Sequence, residues 1–173
     1  NTYEDKIVVT EYSDPNPFKV LHAGHLYTSV IGDAISNLIE HAGGVVHRVN
    51  FGGDVGMHAA KTMWAIIKRL GGERPEGLDD ISESERSEWM AAAYVEGTNA
   101  YEDNEADKTE IVALNKRIYQ LHTDNDHESP LALIYWTCRA WSYDYFNAFY
   151  DRIGTHFEKY YPESETAPTG LAA

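Results

Sequence analysis

Hydrophobic and polar residues follow the periods of one β-α-β unit at the start of the chain and of several helices after it. Residues 7–12 form an apolar run typical of a buried strand, and residues 25–41 repeat with a helical period. That period places five apolar side chains on one helix face: Val30, Ile31, Ala34, Ile35 and Leu38. Gly43 and Gly44 end the helix, and a second strand is predicted over residues 45–50. Two strands joined by a helix in this way are expected to be parallel.

The pattern is helical from residue 57 to about residue 150. Helices are predicted over residues 58–70, 82–102, 107–121 and 130–150, with polar linkers between them. Ser82 and Glu85 form a capping-box signature, and Ser129 precedes a proline at a first helical position. A late strand is expected near residues 155–161. The pattern therefore predicts an α/β chain with helices inserted between its second and its last strand.

Composition narrows the class of protein. The 173 residues, 43% of them hydrophobic, suffice for one globular core, or for one core with an insertion. The single cysteine, Cys138, excludes an internal disulfide and predicts a reducing, cytoplasmic location. No apolar run approaches the roughly 18 residues of a membrane span, and the N-terminal pattern is not that of a signal peptide. We therefore expect a soluble chain without a membrane partner.

The net charge of −14 is concentrated in one region. Residues 73–128 hold 16 acidic and 5 basic side chains, whereas the first 60 residues hold 7 and 3. A charged stretch of this kind is typical of a solvated helical surface. Because contacts to nucleic-acid phosphates require Lys and Arg, this stretch is not expected to provide the main grip on a nucleic acid.

The densest candidate chemistry lies between the first strand and the first helix, in residues 15–25. His22 and His25 fall where a helix N-terminus attracts anions, and imidazoles there can donate hydrogen bonds to phosphoryl oxygens. Gly24 leaves room for a ligand to approach the backbone. Lys19 adds a mobile positive charge on the same loop. These four residues predict a phosphate-binding turn.

Two polar residues before this turn suggest what else is bound. Glu11 ends the strand, where a carboxylate can pair with a cationic group, and the Asn16 amide can both donate and accept. A bare H-x-x-H pair could instead bind a metal or be incidental. No cysteine or carboxylate at zinc spacing supports a metal, so no metal site is predicted. The conjunction of residue types favours a nucleotide site.

These residues resemble the signature of arginyl-tRNA synthetases. Glu11-Tyr-Ser-Asp-Pro-Asn16, then Lys19, then His22-Ala-Gly-His25 are similar to that family's first-strand motif, and the last four resemble the HIGH motif of class I aminoacyl-tRNA synthetases. Further segments are similar to the family: Ile31-Gly-Asp33, Arg48-Val-Asn50, Gly53-Asp54-Val-Gly56, Phe146, Tyr150, Ile153-Gly154, Phe157 and Glu163-Ser164.

The resemblance implies a fold and a division of the chain. The fold class would be α/β, a Rossmann-like parallel nucleotide-binding half-domain with a helical connective insertion. Residues 1–72 would form the first half of the Rossmann-type catalytic domain with its HIGH-type motif. Residues 73–153 would form the helical insertion, and residues 154–173 the return strand and a truncated C-terminal end. Such a piece is expected to be inactive by itself.

The resemblance also implies roles for single residues. Four would bind ATP: His22, Gly24, His25 and Lys19. Of these, His22, His25 and Lys19 would be catalytic, because they stabilise the phosphates as the arginine carboxylate attacks. Three residues would bind arginine: Glu11, Ser13 and Asn16. Mg²⁺ would arrive with ATP without a dedicated protein site, and tRNA(Arg) would bind mainly through domains outside this stretch.

Some features keep alternatives open. Five positions depart from the family's usual residues, which leaves the contacts around them undetermined: Pro17, Phe18, Tyr27, Phe51 and His58. The chain could also be a non-catalytic synthetase-like module that binds a nucleotide or a partner protein. A third possibility is another nucleotidyltransferase with an HxGH motif.

Overall fold

The computed structural model describes residues 2–172; residues 1 and 173, the outer ends of the predicted segments 1–72 and 154–173, lie outside the described residues. The elements follow in this order: β1 (Ile7–Glu11), α1 (Ala23–His41), β2 (Val45–Gly52), α2 (Met57–Arg69), a 3-10 turn (Pro75–Leu78), α3 (Arg86–Asp103), α4 (Glu105–Thr123), α5 (Pro130–Ile153), β3 (Lys159–Pro162) and α6 (Glu163–Ala172). None of the described helices has both the length and the apolar character required to cross a membrane.

The chain divides into two compact units. The sheet unit comprises residues 2–16, 21–53 and 146–172, and the helical unit comprises residues 17–20 and 54–145. The last turns of α5 therefore belong to the sheet unit and the rest of α5 to the helical unit.

Three parallel strands in the order β1-β2-β3 form the sheet unit. Ile7 pairs with Val45 and Glu11 with Val49, so α1 connects two neighbouring strands. The predicted β-α-β unit and the α/β fold class with a parallel sheet are confirmed. Because the strands are parallel, their carboxyl ends meet at one edge of the sheet, where ligands bind in folds of this kind.

Helix α1 packs against the sheet through small residues. Ser29 and Ser36 are fully buried, and the Ser36 hydroxyl lies 2.9 Å from that of Thr10 on β1. In contrast, the large members of the predicted apolar face are 44–68% exposed: Val30, Ile31, Ile35 and Leu38. The helical period groups these apolar residues on one face, but that face does not meet the sheet. Helix α1 lies so close to the sheet that only serine and glycine fit between them.

The C-terminal region differs from the prediction. The return strand β3 covers Lys159–Pro162, later and shorter than the expected residues 155–161. Thr155 precedes it as a buried anchor whose hydroxyl donates to Asp33 at 2.9 Å. The pattern did not predict α6, which contains Pro168, a residue that ordinarily ends a helix.

An apolar core joins the helices of the helical unit. Its completely buried side chains include Met63, Ile66, Ile118, Ile134 and Cys138. The predicted helices over residues 58–70, 107–121 and 130–150 are confirmed as α2, α4 and α5. The helix predicted from Ser82 begins only at Arg86. The Ser82 hydroxyl donates to the Glu85 carboxylate instead of accepting the Glu85 N–H, so the predicted capping box is incomplete and residues 82–85 form a turn.

Candidate active site

The loop between β1 and α1 has an unusual backbone that β2 holds in place. Ser13 and Asp14 have positive φ angles of 74° and 50°, which for non-glycine residues costs on the order of 1 kcal/mol each. The Phe51 N–H donates to the Asp14 carboxylate at 2.9 Å, and the Gly53 N–H donates to Asn16 Oδ1 at 2.8 Å. These bonds compensate the strain and orient the loop before any ligand binds.

An open hollow of about 310 Å³ lies beside this loop in the sheet unit. Glu11, Ser13 and Asp14 line one part of it, and Tyr27 and Thr28 of α1 line another. The pKa of Asp14 is raised, mainly because the carboxyl group is buried. The negative charge of Glu11 also raises this pKa, and the hydrogen bond from the Phe51 N–H lowers it in part. Two carboxyl groups on one hollow favour a cationic ligand. Asp14 stands inside the Glu11–Asn16 motif, but sequence reasoning assigned it no role.

A network of buried polar side chains holds Ser13 in place. The Ser13 hydroxyl lies 2.9 Å from the Tyr150 hydroxyl and accepts a hydrogen bond from Ser29 at 2.8 Å. Asn50, 1% exposed, donates its amide to the Tyr12 carbonyl at 3.0 Å and to Tyr150 at 3.3 Å. Burial raises the pKa of Tyr150. Asn50 and Tyr150 are therefore supporting residues of the site, although sequence reasoning gave neither a function.

A second network ties α1 to the sheet. Arg48, 3% exposed, donates two hydrogen bonds to the Glu40 carboxylate at 2.6 and 2.9 Å, and this pairing lowers the pKa of Glu40. Asp33 accepts hydrogen bonds from the hydroxyls of Tyr12 at 3.2 Å and Thr155 at 2.9 Å. Asp33 and Arg48 thus hold α1 in place and so maintain the geometry of the site.

His22 and His25 cap the N-terminus of α1. His22 Nδ1 accepts the Gly24 N–H at 3.1 Å, His25 Nδ1 accepts the His22 N–H at 3.1 Å, and the ring centres are 4.0 Å apart. The His22 ring also fills the space that Gly24 leaves, because a Cβ there would lie 2.8 Å from it. A neutral imidazole that accepts through Nδ1 carries its proton on Nε2. The sequence did not reveal this capping role, since Ser, Thr, Asp and Asn are the usual caps.

Lys19 and Asp54 belong to the helical unit. The Lys19 ammonium lies 5.7 Å from the centre of the Tyr94 ring. Asp54 is completely buried; its carboxylate accepts the Arg139 Nε–H at 2.9 Å and its carbonyl accepts the Tyr135 hydroxyl at 2.9 Å. The Asp54 carboxylate is therefore part of a structural ion pair. Within residues 2–172, no group of three or more His, Cys, Asp or Glu side chains is arranged to hold a metal ion.

Comparisons with known proteins agree on one family. The model of "tRNA synthetases class I (R), catalytic domain" matches residues 1–158. Arginine--tRNA ligase of Flavobacterium psychrophilum is 31% identical over 94% of this chain, and that of Bdellovibrio bacteriovorus is 28% identical over 90%. These alignments cover 28% and 26% of the two relatives, so the chain spans little more than a quarter of their length.

Solved structures show the same fold. Arginyl-tRNA synthetase from Plasmodium falciparum is 24% identical with a TM-score of 0.66, and the match covers 99% of this chain and 27% of that one. The Thermus thermophilus arginyl-tRNA synthetase is 22% identical with a TM-score of 0.66, over 98% of this chain and 25% of that one. At these identities the likeness establishes a shared fold.

Proposed function

The chain belongs to the family of class I tRNA synthetases for arginine, and from this premise we propose that it takes part in ATP-dependent activation of arginine and its transfer to tRNA(Arg). In the first step, an arginine carboxylate oxygen forms a bond to the α-phosphorus of ATP, and pyrophosphate leaves. In the second step, a hydroxyl of the terminal adenosine of the tRNA forms an ester bond with the arginyl carbonyl, the bond between that carbonyl and the phosphate breaks, and AMP leaves. The single buried thiol of Cys138 supports a reducing, cytoplasmic setting.

The pair of histidines at the N-terminus of α1 carries this proposal. Each Nδ1 accepts a backbone N–H, so each neutral ring has its remaining proton on Nε2, the kind of donor that a phosphoryl oxygen requires. The caps fix the rings before substrate binds, and such preorganised donors stabilise charge that develops in a transition state. We assign His22 and His25 to the α-phosphate, and Gly24 to the turn that lets the His22 ring fold back.

The hollow beside the loop suits arginine. Arginine carries a guanidinium and an ammonium, and the Glu11 and Asp14 carboxyl groups line the same 310 Å³ hollow. Asn16 uses its oxygen for the Gly53 N–H, which leaves its amide N–H groups as donors for the arginine carboxylate. Ser13 shapes the hollow from its buried position. We assign Glu11 to a cationic group of arginine and Asn16 to the amino-acid end.

Catalysis then rests on positioning and on charge stabilisation, without a covalent intermediate on the protein. The family likeness supports Lys19 as a further contact to the phosphates. Mg²⁺ would be carried by the phosphates of ATP. Contacts to tRNA(Arg) would come mainly from other parts of a full-length enzyme, since the relatives are more than three times as long as the aligned region.

Binding of a non-hydrolysable arginyl-adenylate analogue, measured by calorimetry with the lysyl analogue as control, tests the proposal. We expect selective binding of the arginyl analogue, and a loss of about tenfold or more in Glu11→Gln, because a carboxylate partner of a cation is removed. Binding that ignores the difference between arginine and lysine, or that survives Glu11→Gln unchanged, would contradict the proposed arginine site.

The variant His22→Asn separates the two roles of His22. Asparagine is a good N-cap, so the helix and the thermal midpoint should be retained, whereas the Nε2 donor is lost. We expect weaker binding of the adenylate analogue at unchanged stability. Unchanged affinity would show that His22 serves only as a cap. His41→Ala, in the last turn of the same helix, is the matched control and should bind like the parent chain.

A further inference from the structure

Two open hollows lie side by side along α4 in the helical unit. The larger one, of about 530 Å³, lies between α2 and α4, and its apolar lining includes Trp64, Ile67 and Leu114. The smaller one, of about 250 Å³, lies at the end of α4, where Leu121 lines it. Arg117 lines both hollows, so they are neighbours and together form one groove, which we call the α4 groove.

The α4 groove has the length of a short helix. Its lining residues on α4 recur three or four positions apart from Glu110 to Asp124, as expected for one face of a helix. The 14 positions between these two residues correspond to about 21 Å, or about four helical turns. Amphipathic helices bind to other proteins in grooves of this kind, with their apolar face against the floor.

The larger hollow has no net charge. Its four charged residues form two ion pairs: Lys68 Nζ lies 2.9 Å from the Glu110 carboxylate, and Arg117 donates two hydrogen bonds to the Glu73 carboxylate at 2.5 and 3.1 Å. The Trp64 indole N–H also donates to Glu110, at 2.8 Å. This part of the groove therefore suits apolar side chains better than a charged group.

The smaller hollow, in contrast, has two carboxylates that lack a cation. Asp124 accepts a hydrogen bond from the neutral amide of Gln120 at 2.7 Å, and Asp126 accepts the N–H groups of Glu128 and Ser129 at 2.9 and 3.0 Å. Neither carboxylate forms an ion pair with Lys or Arg within residues 2–172. Hydrogen bonds from the Ser129 hydroxyl and from the backbone lower the pKa of Asp126, so this end of the groove is negative at neutral pH.

The spacing of the apolar and the negative parts indicates the kind of ligand. Leu114 and Asp124 are ten residues apart on α4, or about 15 Å, so the ligand must carry a positive group about 15 Å from its apolar groups. An amphipathic helix with a basic residue about three turns from its apolar residues meets this requirement. The 16 acidic and 5 basic side chains of residues 73–128 attract a basic partner and repel nucleic acid.

We propose that the α4 groove binds a basic amphipathic helix of a partner protein. Apolar side chains of that helix would lie against Trp64 and Ile67, and a Lys or Arg would pair with Asp124 and Asp126. The groove lies within residues 54–145 and shares no lining residue with the hollow proposed for arginine, so this partner site does not depend on the proposed function.

Fluorescence anisotropy of a labelled synthetic peptide, titrated with the 173-residue chain, tests this surface. The probe is a helical peptide of about 14 residues, with leucines on one face and lysines at one end. The control probe has glutamates in place of the lysines. We expect the lysine probe to bind at least about tenfold more tightly, because the glutamates would face the carboxylates of the groove.

One variant tests the groove by filling it. Ala113 is exposed and lines the larger hollow, so Ala113→Gln places a longer side chain where an apolar group of the probe would lie. We expect the lysine probe to bind about tenfold more weakly. Ala106→Gln makes the same change at an exposed position of α4 outside the groove and should bind like the parent chain. Circular dichroism would confirm that both variants keep their helices.

A second variant tests the charges. Asp124→Asn combined with Asp126→Asn removes both charges but keeps oxygens that can accept the same hydrogen bonds, and it should weaken binding of the lysine probe about fivefold. Asp79→Asn combined with Asp80→Asn removes two exposed carboxylates elsewhere in the helical unit. This control should bind like the parent chain, because salt screens distant charges.

Several results would overturn the proposal. These are absence of binding, equal affinities for the lysine and glutamate probes, unchanged affinity in Ala113→Gln, or equal losses in the two double variants. Displacement of the lysine probe by single-stranded RNA would instead identify a nucleic-acid surface. Because Ala113→Gln leaves the arginine hollow untouched, it should bind the arginyl-adenylate analogue like the parent chain, so failure of the groove and failure of the proposed function are distinguishable.

Discussion

Replacing Gly32 by alanine tests how closely α1 must approach the loop that carries the arginine-binding candidates. Glycine in a helix interior is about 1 kcal/mol less favourable than alanine, so helix propensity alone predicts that Gly32→Ala stabilises the protein. The structure predicts the opposite sign, because a Cβ at this position would lie 2.2 Å from Cγ and 2.4 Å from Cβ of Tyr12.

The cost follows from the space that must be made. Opening the gap from 2.2 Å to an ordinary contact of 3.4 Å requires a shift of about 1.2 Å. Tyr12 is 6% exposed, its hydroxyl donates to Asp33 and its carbonyl accepts from Asn50, so it cannot yield alone. Overpacking costs about 1–3 kcal/mol, and we take the upper end because the contact is with atoms next to the backbone. After the gain in propensity, the net loss should be about 2 kcal/mol.

Urea unfolding monitored by circular dichroism gives the free energy of unfolding of the variant. Gly170→Ala is the matched control, since a Cβ there meets nothing within 4 Å, and it should be neutral or stabilising. A displaced α1 also displaces His22 and His25, so Gly32→Ala should bind the arginyl-adenylate analogue more weakly. A Gly32→Ala protein as stable as the parent chain would refute the reasoning about close approach.

Three further substitutions test other parts of the sheet unit. Leu38→Lys should change the free energy of unfolding by less than about 0.5 kcal/mol, because Leu38 is 68% exposed; a loss above about 2 kcal/mol in urea unfolding would mean that this face is buried. Arg48→Met should cost about 1–2 kcal/mol in the same assay, since it removes the buried cation that pairs with the partly exposed carboxylates of Glu40 and Asp33; a loss near zero would show that the network is dispensable. The raised pKa of Asp14 means that the folded state binds more protons than the unfolded state just above the ordinary value of 3.8, so stability falls as pH rises through that window. Asp14→Asn, which keeps an oxygen for the Phe51 N–H, should flatten this dependence in a pH series of unfolding curves; an unchanged slope would assign it to another group.

The elements that depend on local pattern could be predicted well. The β1-α1-β2 unit, α2, α4 and α5 follow from hydrophobic period, glycine and proline, which act within a few residues. The start of α3 is predicted four residues early because the Ser82 hydroxyl donates to the Glu85 carboxylate and leaves the capping box incomplete. Helix α6 was missed because Pro168 argues against a helix there.

The candidate site also combines features that the sequence indicated with features that only the structure showed. The motif indicated that His22, His25, Lys19, Glu11 and Asn16 carry the chemistry, because these residue types suit phosphate and arginine. It did not show that both histidines cap α1 through Nδ1, since imidazole caps have no clear sequence signal. Nor did it separate Ser13, whose hydroxyl faces a buried network, from Asp14, whose carboxyl lines the hollow.

By itself the sequence determined the class of fold through its local period and the family through its motif, and it named the candidate phosphate-binding residues through their side-chain chemistry. Only the tertiary structure decided which face of α1 meets the sheet, which carboxyl groups share a hollow and which cations pair with distant carboxylates. The reason is that those facts depend on partners far apart in the chain. Tyr150 reaches Ser13 across 137 residues, and Thr155 reaches Asp33 across 122. Neither pairing leaves a trace in the local alternation of polar and apolar residues.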